Sequence, residues 1–220
     1  MRQVTNDMTQ RATEIILVRH GETQGNSEGL FHGRTDMPLT TLGLRQAEMV
    51  AARLATELSI DGLYSSPLQR ALVTAKRIGE KLSLEPEIDP RLTEIDFGAL
   101  EGLSIGRFAS EFPDILQAFQ AGLRDVTFPG GESMLAFHAR VETAILELLA
   151  HHAGQRVIVV AHGGVIGSSV IQLTRALDAN WRTMLVGNCS LTSLEVDADG
   201  IGVLRWWNDV AHLAMNESNR

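Results

Sequence analysis

The stretch IILVRHGET, residues 15–23, decides the fold. Its four apolar residues end abruptly at an arginine, a histidine and a glycine, which is typical of a buried strand that delivers polar side chains at its end. The same pattern returns as VIVVAHGG, residues 157–164. Because ligands bind beyond the carboxyl ends of parallel strands, we expect His20 and His162 to meet at one edge of one sheet.

Strand-like and helix-like segments alternate along the rest of the chain. Apolar residues at helical spacing predict amphipathic helices over residues 40–59, 67–82 and 132–152, with Thr40 or Thr41 as an N-cap and Pro67 at a helix start. Two strand-like arms around residues 197–200 predict a terminal hairpin. The expected fold class is α/β, with a mostly parallel sheet, helices on both of its faces and a small helical cap.

The length of 220 residues favours one domain over two. Residues 1–13 are polar and are expected to form a flexible N-terminal tail, which leaves residues 14–220 as a single domain. Residues 104–128 carry several phenylalanines on short predicted helices. We expect this segment to be a cap insertion, with a core-filling role for these aromatic residues as the alternative.

Composition and charge exclude several classes of protein. A net charge of −8 argues against a broad nucleic-acid-binding surface, although a few local arginines can still bind a small anion. No apolar run is long enough to span a membrane, and the first 13 residues lack the apolar core of a signal peptide. The lone Cys189 cannot form an intramolecular disulfide and is expected to be a small buried hydrophobe. A soluble, cytoplasmic protein is therefore expected.

Five polar residues lie at predicted strand ends or just beyond them: Arg19, His20, Arg70, Glu94 and His162. Two arginines offer the paired N–H donors that suit a phosphoryl group, and helix N-termini add further donors. Two histidines and a carboxylate could instead bind a metal ion. Arginines among them would repel a cation, so we expect no metal and no cofactor.

Five segments in this order carry a resemblance to a known family: LVRHGET with Asn26, YSSPLQRALVTA, RLTEIDFGALEG, PGGES and VVAHGGVI. The chain resembles the histidine phosphatase superfamily, in its phosphoglycerate mutase-like branch. The resemblance extends from Ile15 to about Leu213. One RHG triplet alone would be weak evidence, but five matching segments, each at a strand end or a helix start, are specific.

The resemblance implies a role for each matching residue. His20 corresponds to the nucleophile that becomes phosphorylated, and Glu94 to the proton donor. The catalytic set is completed by residues that surround the phosphate, namely Arg19, Arg70 and His162. Substrate contacts are expected from Arg19, Thr23, Asn26, Arg70, Glu94, His162 and Gly163.

Elementary chemistry agrees with these roles. Neutral imidazole is a competent nucleophile near pH 7, and two arginines with a protonated His162 would stabilise the transferred phosphoryl group. A glycine after each histidine would let the backbone approach the phosphate. Glu101 is the competing candidate for the proton donor.

The remaining histidines and Arg34 are assigned as follows. His32 and Arg34 either reach the substrate or belong to an ordinary loop. His138, His151 and His152 are expected at the surface, and His212 is expected to have a packing role.

The predicted activity is metal-independent hydrolysis of small phosphomonoesters through a phosphohistidine. Mutases similar to this chain carry a long, charged insertion between the glutamate and the second histidine. Here the interval between Glu94 and His162 is short, and its middle part, residues 108–133, contains a single arginine, Arg124. Phosphoglycerate mutase-type phosphotransfer is the alternative, and a catalytically inactive binding module is a weaker one. The expected partner is a small-molecule phosphomonoester, without nucleic acid or membrane, and a homodimer is left open.

Overall fold

Six strands form one central sheet in the computed structural model, which describes residues 11–56, 59–123, 125–177, 179 and 184–214. The order across the sheet is β3-β2-β4-β1-β5-β6. The first four strands along the chain pair in parallel, and the last two pair antiparallel. Their bounds are β1 (Thr13–Arg19), β2 (Gly62–Ser65), β3 (Glu87–Ile88), β4 (Arg156–Ala161), β5 (Leu191–Val196) and β6 (Gly202–Asp209). The predicted α/β class and the terminal hairpin are confirmed.

Helices cover both faces of this sheet in the described part of the chain. Their bounds are α1 (Gln24–Ser27), α2 (Thr41–Leu54), α3 (Gln69–Leu82), α4 (Ile105–Glu111), α5 (Pro113–Gln120), α6 (Met134–His151), α7 (Gly163–Leu173) and α8 (Ala211–Ala214). Two short 3₁₀ turns, Pro90–Leu92 and Gly98–Leu100, connect β3 to α4.

Successive side chains of β1 point to opposite faces and enter two different apolar cores. Ile15 and Leu17 join the cluster formed with α6 and α7, whereas Ile16 and Val18 join the cluster formed with α2 and α3. All four are at most 1% exposed. Full burial of each such side chain contributes about 1.5–3 kcal/mol, which explains why the strand sequence is continuously apolar.

Helix starts follow the expected capping chemistry, with one correction. The Thr40 hydroxyl accepts a hydrogen bond from the Gly43 N–H at 3.0 Å, as predicted for the N-cap of α2. The predicted start at Pro67 is wrong, because α3 begins at Gln69. Asp36, from a distant loop, accepts the Gln69 N–H at 2.9 Å and so caps the helix two residues later than the proline suggests.

The structure describes only the end of the predicted tail but nearly all of the predicted cap. Residues 1–10 of the tail lie outside the described residues, and Thr13 already belongs to β1. Phe108 and Phe128, within residues 104–128, are fully buried in the core cluster of α6 and α7, and Phe119 is 6% exposed. These aromatic residues therefore fill the core, and the division into tail, single domain and cap insertion stays a prediction.

None of the described helices has the length and apolar character that a bilayer crossing requires.

The loop after β1 lies directly against the backbone of α2. A Cβ added to Gly43 would lie 2.1 Å from the carbonyl oxygen of Glu22, and one added to Gly21 would lie 2.5 Å from the carbonyl oxygen of Gly43. No side chain fits between these two backbones, so this contact fixes where the chain runs immediately after His20.

We predict that Gly43→Ala lowers the free energy of unfolding by about 1–3 kcal/mol, because the added methyl group overlaps backbone atoms that cannot move aside. The matched control is Gly106→Ala in α4, where the nearest atom to an added Cβ is 4.0 Å away. This control should be neutral or stabilising by about 0.4–1 kcal/mol. Urea denaturation measures both, and equal stability of Gly43→Ala and wild type would contradict the contact.

Candidate active site

The two histidines lie side by side because their strands are neighbours. His20 follows β1 and His162 follows β4, and these parallel strands are in register at Arg19 and Ala161. The His20 N–H donates to the Ala161 carbonyl at 3.0 Å, and the two imidazole rings are 5.2 Å apart between centroids. His20 is 3% exposed and His162 is fully buried. The expected meeting of the two strand ends is therefore observed.

Arg70 projects from the first turn of α3 into the same site and is fully buried. Its guanidinium donates to the carbonyl oxygens of Thr35 at 2.8 Å and Gly33 at 2.5 Å, and its Nε donates to Nδ1 of His162 at 3.3 Å. These acceptors satisfy hydrogen bonds, but none of them carries a negative charge.

Arg19, at the end of β1, carries the second guanidinium of the site and is half-buried. Its Nη1 donates to the Val186 carbonyl at 2.5 Å, while its buried Nε has no hydrogen-bond partner. Among the described residues, no carboxylate lies within 4.0 Å of Arg19 or Arg70. A buried positive charge is costly unless it is paired, so this arrangement favours binding of an anion.

Hydrogen bonds define the proton positions on both imidazoles. His20 Nδ1 donates to the Gly21 carbonyl at 2.7 Å, which leaves the lone pair on Nε2. Because Arg70 can only donate, His162 Nδ1 is an acceptor, and its Nε2 proton points to the Ser66 hydroxyl at 2.8 Å.

Both site histidines are neutral near pH 7. Burial, followed by Arg19 and Arg70, holds the pKa of His20 well below its ordinary value. Burial, followed by Arg70, does the same to the pKa of His162. In the free protein, desolvation and the neighbouring guanidinium both oppose a positive charge on His162, and a protonated His162 beside a bound phosphoryl group stays a prediction.

Glu94 is buried, and its carboxylate lies against the first turn of α7. Its two oxygens accept the Ile95 N–H at 3.0 Å and the Gly164 N–H at 2.9 Å. A Cβ added to Gly164 would lie 2.4 Å from the carboxylate, so a glycine is required here. Gly163 faces Arg19, whose Nε is 3.9 Å from the position of an added Cβ.

Glu101, the competing carboxylate, has a different place in the structure. It accepts the backbone N–H groups of Gly33, Arg34 and Thr35 at 2.9–3.0 Å. Burial acts to raise the pKa of Glu101, but the hydrogen bonds from this loop outweigh it and lower the pKa. Glu101 thus anchors the loop whose carbonyls hold Arg70.

Thr23 and Asn26 bind each other. The Thr23 hydroxyl lies 3.1 Å from Asn26 Oδ1 and 3.0 Å from His32 Nε2, within a reciprocal cap of α1. Asn188, which was not predicted, donates to Asn26 Oδ1 at 3.1 Å and to the His20 carbonyl at 3.0 Å. These contacts hold the backbone of the loop that carries His20. No sequence signal marks Asn188, because its partners lie more than 160 positions away.

Arg140 on α6 is a second residue that the sequence did not reveal. Its guanidinium donates to the carbonyl oxygens of Thr93 at 2.6 Å and Glu94 at 3.0 Å, and it pairs with Glu132 at 2.7 Å. The backbone on both sides of the Glu94 Cα is fixed in this way. Arginine on an amphipathic helix ordinarily belongs to a solvated face, so its spacing gives no warning of this role.

Two of the surface predictions for histidine are wrong. His138 is half-buried, and its Nδ1 lies 2.7 Å from the Ser168 hydroxyl. His152 is 7% exposed and lies between Tyr64 Oη at 2.7 Å and Gln155 Oε1 at 2.6 Å. In both cases a partner distant in sequence supplies the hydrogen bond that allows burial.

The structure also gives the positions of the remaining histidines and of Arg34. His32 is 6.5 Å from His20 between ring centroids, and burial lowers its pKa. Arg34 is largely exposed, 4.0 Å from Glu132. His151 is exposed on α6. His212 is buried and lies 3.0 Å from the Cys189 carbonyl, consistent with packing.

A cavity of about 320 Å³ opens beside the charged cluster. Arg19, Glu94 and Gly163 line it together with apolar side chains, which include Phe31, Phe97, Phe119, Met134, Phe137 and Leu185. Across the described residues, no group of three or more histidine, cysteine or acidic side chains is arranged to hold a metal ion. The site therefore combines an anion-binding end with an apolar chamber.

We predict that the free energy of unfolding falls as the pH decreases below about 6.5. In this range His20 and His162 bind protons in the unfolded chain, whereas their lowered pKa values keep them neutral in the folded protein. Each such histidine contributes up to about 1.4 kcal/mol per pH unit to the slope of the free energy of unfolding. His162→Gln should reduce the slope between pH 7 and pH 5. His151→Gln, on the exposed face of α6, is the control and should keep the wild-type slope. A wild-type slope in His162→Gln would be inconsistent with the depressed pKa.

Comparison with known proteins supports the same chemistry. The family model of the histidine phosphatase superfamily (branch 1) matches residues 15–209. A metal-independent phosphoserine phosphatase of Arabidopsis thaliana is 36% identical over 204 residues, which are 92% of this chain and 84% of the relative. A probable phosphoglycerate mutase of Escherichia fergusonii is 34% identical over 215 residues, 94% of this chain and 99% of the relative.

A solved structure gives the same result for the fold. The phosphoserine phosphatase of Entamoeba histolytica, in complex with 3-phosphoglyceric acid, superimposes with a TM-score of 0.80 and 30% identity. The superposition covers 91% of this chain and 99% of that chain. From the family match, the sequence identity and the shared fold, we conclude that the chain belongs to the histidine phosphatase superfamily, branch 1.

Proposed function

We propose that the protein is a metal-independent phosphatase that hydrolyses small phosphomonoesters through a phosphohistidine on His20. One observation carries the proposal: the guanidiniums of the buried Arg70 and the half-buried Arg19 lie beside two neutral histidines, and no described carboxylate lies within 4.0 Å of either to supply a balancing negative charge. A dianionic phosphoryl group supplies that charge and accepts the N–H of Arg19 Nε, which has no partner within the protein.

The first step transfers the phosphoryl group to the protein. Nε2 of His20 attacks phosphorus with its lone pair, and the bond from phosphorus to the alcohol oxygen breaks. Negative charge on the equatorial oxygens is stabilised by Arg19 and Arg70, and His162, which accepts from Arg70 Nε, holds that guanidinium in position. Glu94 in its protonated form gives the departing oxygen its proton, so that an alcohol leaves and not an alkoxide.

The second step returns His20 to its starting state. A water molecule attacks phosphorus, Glu94 takes one proton from it, and the bond between phosphorus and Nε2 breaks. Nδ1 keeps its proton throughout and donates it to the Gly21 carbonyl, so the same lone pair is regenerated on Nε2. Atoms and charges balance: the ester and water become an alcohol and inorganic phosphate.

We assign indirect roles to three residues that were expected to contact the substrate, namely Thr23, Asn26 and Gly163. Thr23 and Asn26 act through the loop that carries His20, since their polar atoms are bound to each other, to His32 and to Asn188. Gly163 leaves space next to Arg19 for the phosphate. A substrate contact by Thr23 or Asn26 stays a prediction.

Phosphoglycerate mutase-type phosphotransfer is the second candidate, and the similarity to a probable mutase favours it. A mutase must hold an intermediate with two phosphoryl groups, which requires cations at both ends of the substrate. In the described lining of the cavity, Arg19 is the one permanent cation. Arg124 of the predicted cap lies outside the described residues. An inactive binding module is less consistent with a chain that keeps His20, Glu94 and both arginines.

The setting of the enzyme is part of the proposal. We propose a cytoplasmic protein without cofactor, in which the free thiol of Cys189 is buried and has no redox task. Residues 104–128 contribute Ile105 and Phe119 to the cavity wall, and this supports a cap function for the segment. A homodimer is left open.

We predict that Glu94→Gln reduces kcat/KM by about 10²–10⁴-fold on an alkyl phosphate, whose leaving alkoxide needs a proton. The loss on 4-nitrophenyl phosphate should be smaller, because its phenolate leaves without help. Glu101→Gln is the matched control, since Glu101 binds the loop that holds Arg70 and should affect both esters equally. EDTA throughout should not change any rate. Equal losses on both esters in Glu94→Gln, or restoration of lost activity by a divalent ion, would contradict the mechanism.

A further inference from the structure

The chamber beside the phosphate site is preformed and aromatic. At about 320 Å³ it falls in the range of small-molecule pockets, about 300–1,000 Å³. Phe31, Phe97 and Phe119 in its wall come from separate segments of the chain. They pack edge to face, Phe31 against Phe97 at 5.3 Å, and both Phe97 and Phe119 against the buried Phe128 at 5.0 and 5.6 Å between centroids. Such interlocked rings cannot easily move aside for a hydrated group.

The described lining of the chamber provides no second permanent cation for another anion. Arg19 is the permanent cation, its Nη1 donates to the Val186 carbonyl, and its buried Nε, which has no hydrogen-bond partner, is the donor assigned to the phosphate in the proposed function. Apart from Glu94, the remaining polar side chain in this lining, His138, contacts Ser168 through Nδ1. Burial of a substrate carboxylate in this chamber would therefore be costly.

We infer that the leaving group is a neutral, largely apolar alcohol, such as an aryl or arylalkyl alcohol, and that the chamber selects against esters that carry a carboxylate. This inference rests on the proposed function, because it assumes that the phosphoryl group lies between Arg19 and Arg70. It separates this chain from relatives named for phosphoserine or phosphoglycerate, although the fold is shared. In this inference the specificity for the leaving group lies in the chamber.

The test compares three esters of primary alcohols, which all need a proton from Glu94 in the same way: benzyl phosphate, phosphoserine and 3-phosphoglycerate. We expect kcat/KM for benzyl phosphate to exceed that of both acids by at least about tenfold, the effect of a single favourable apolar contact or more. ³¹P NMR follows each reaction and distinguishes inorganic phosphate from an isomerised phosphoglycerate. Equal or faster hydrolysis of either acid would overturn the inference and leave the phosphatase proposal intact.

A charge added at the rim of the chamber provides the second arm. Ile105 lines the cavity and is 57% exposed, so an arginine there can reach the leaving group and keep its contact with water. Ile105→Arg should narrow the preference for benzyl phosphate several-fold, and Ile105→Gln, similar in polarity but uncharged, should narrow it less. An unchanged preference in Ile105→Arg would contradict selection by charge. Isomerisation without phosphate release, or no turnover of any ester, would overturn both proposals.

Discussion

Arg70 is a fully buried guanidinium that has hydrogen-bond partners but, among the described residues, no carboxylate within 4.0 Å. Its donors meet two backbone carbonyls and the imidazole of His162, all of them neutral. In most proteins a buried arginine is paired with a carboxylate, which removes the electrostatic cost and also the capacity to bind an anion. Here that capacity is kept, and Arg19 at the end of β1 adds a second guanidinium whose buried Nε has no hydrogen-bond partner. The rest of the site is arranged around these two charges.

The same two charges contribute to the neutral state of the histidines. Burial is the main cause that holds the pKa of each imidazole well below its ordinary value, and the neighbouring guanidiniums lower it further. A nucleophilic nitrogen is thus available at neutral pH without an acidic partner. Around this centre, Glu101 fixes the loop that binds Arg70, and Arg140 fixes the backbone of Glu94. Each anchor is a side chain bound to backbone groups, which positions the reacting groups without adding charge to the chamber.

Much of the fold and the central site residues could be predicted from the sequence. Continuous apolar strands that end in Arg19–His20 and His162 identify the sheet edge. Strands and helices alternate along the chain, which predicts parallel strands, and the carboxyl ends of parallel strands meet at one edge. The supporting residues could not be predicted in this way. Asn188, Arg140 and Glu101 act on backbone groups 46 to 168 positions away, and only the folded chain brings them together. Gly21 shows the same limit: its small size serves packing against Gly43, whereas the sequence suggested close approach to phosphate.

The most direct test of the account is to trap the covalent intermediate. During a single turnover of ³²P-labelled 4-nitrophenyl phosphate, rapid quenching should yield a labelled protein whose phosphoryl group is labile to acid and stable to base. Peptide mapping should assign the label to His20, and His20→Ala should neither become labelled nor turn over the ester. Label on any other residue, or a complete turnover in which His20 is never labelled, would contradict the account.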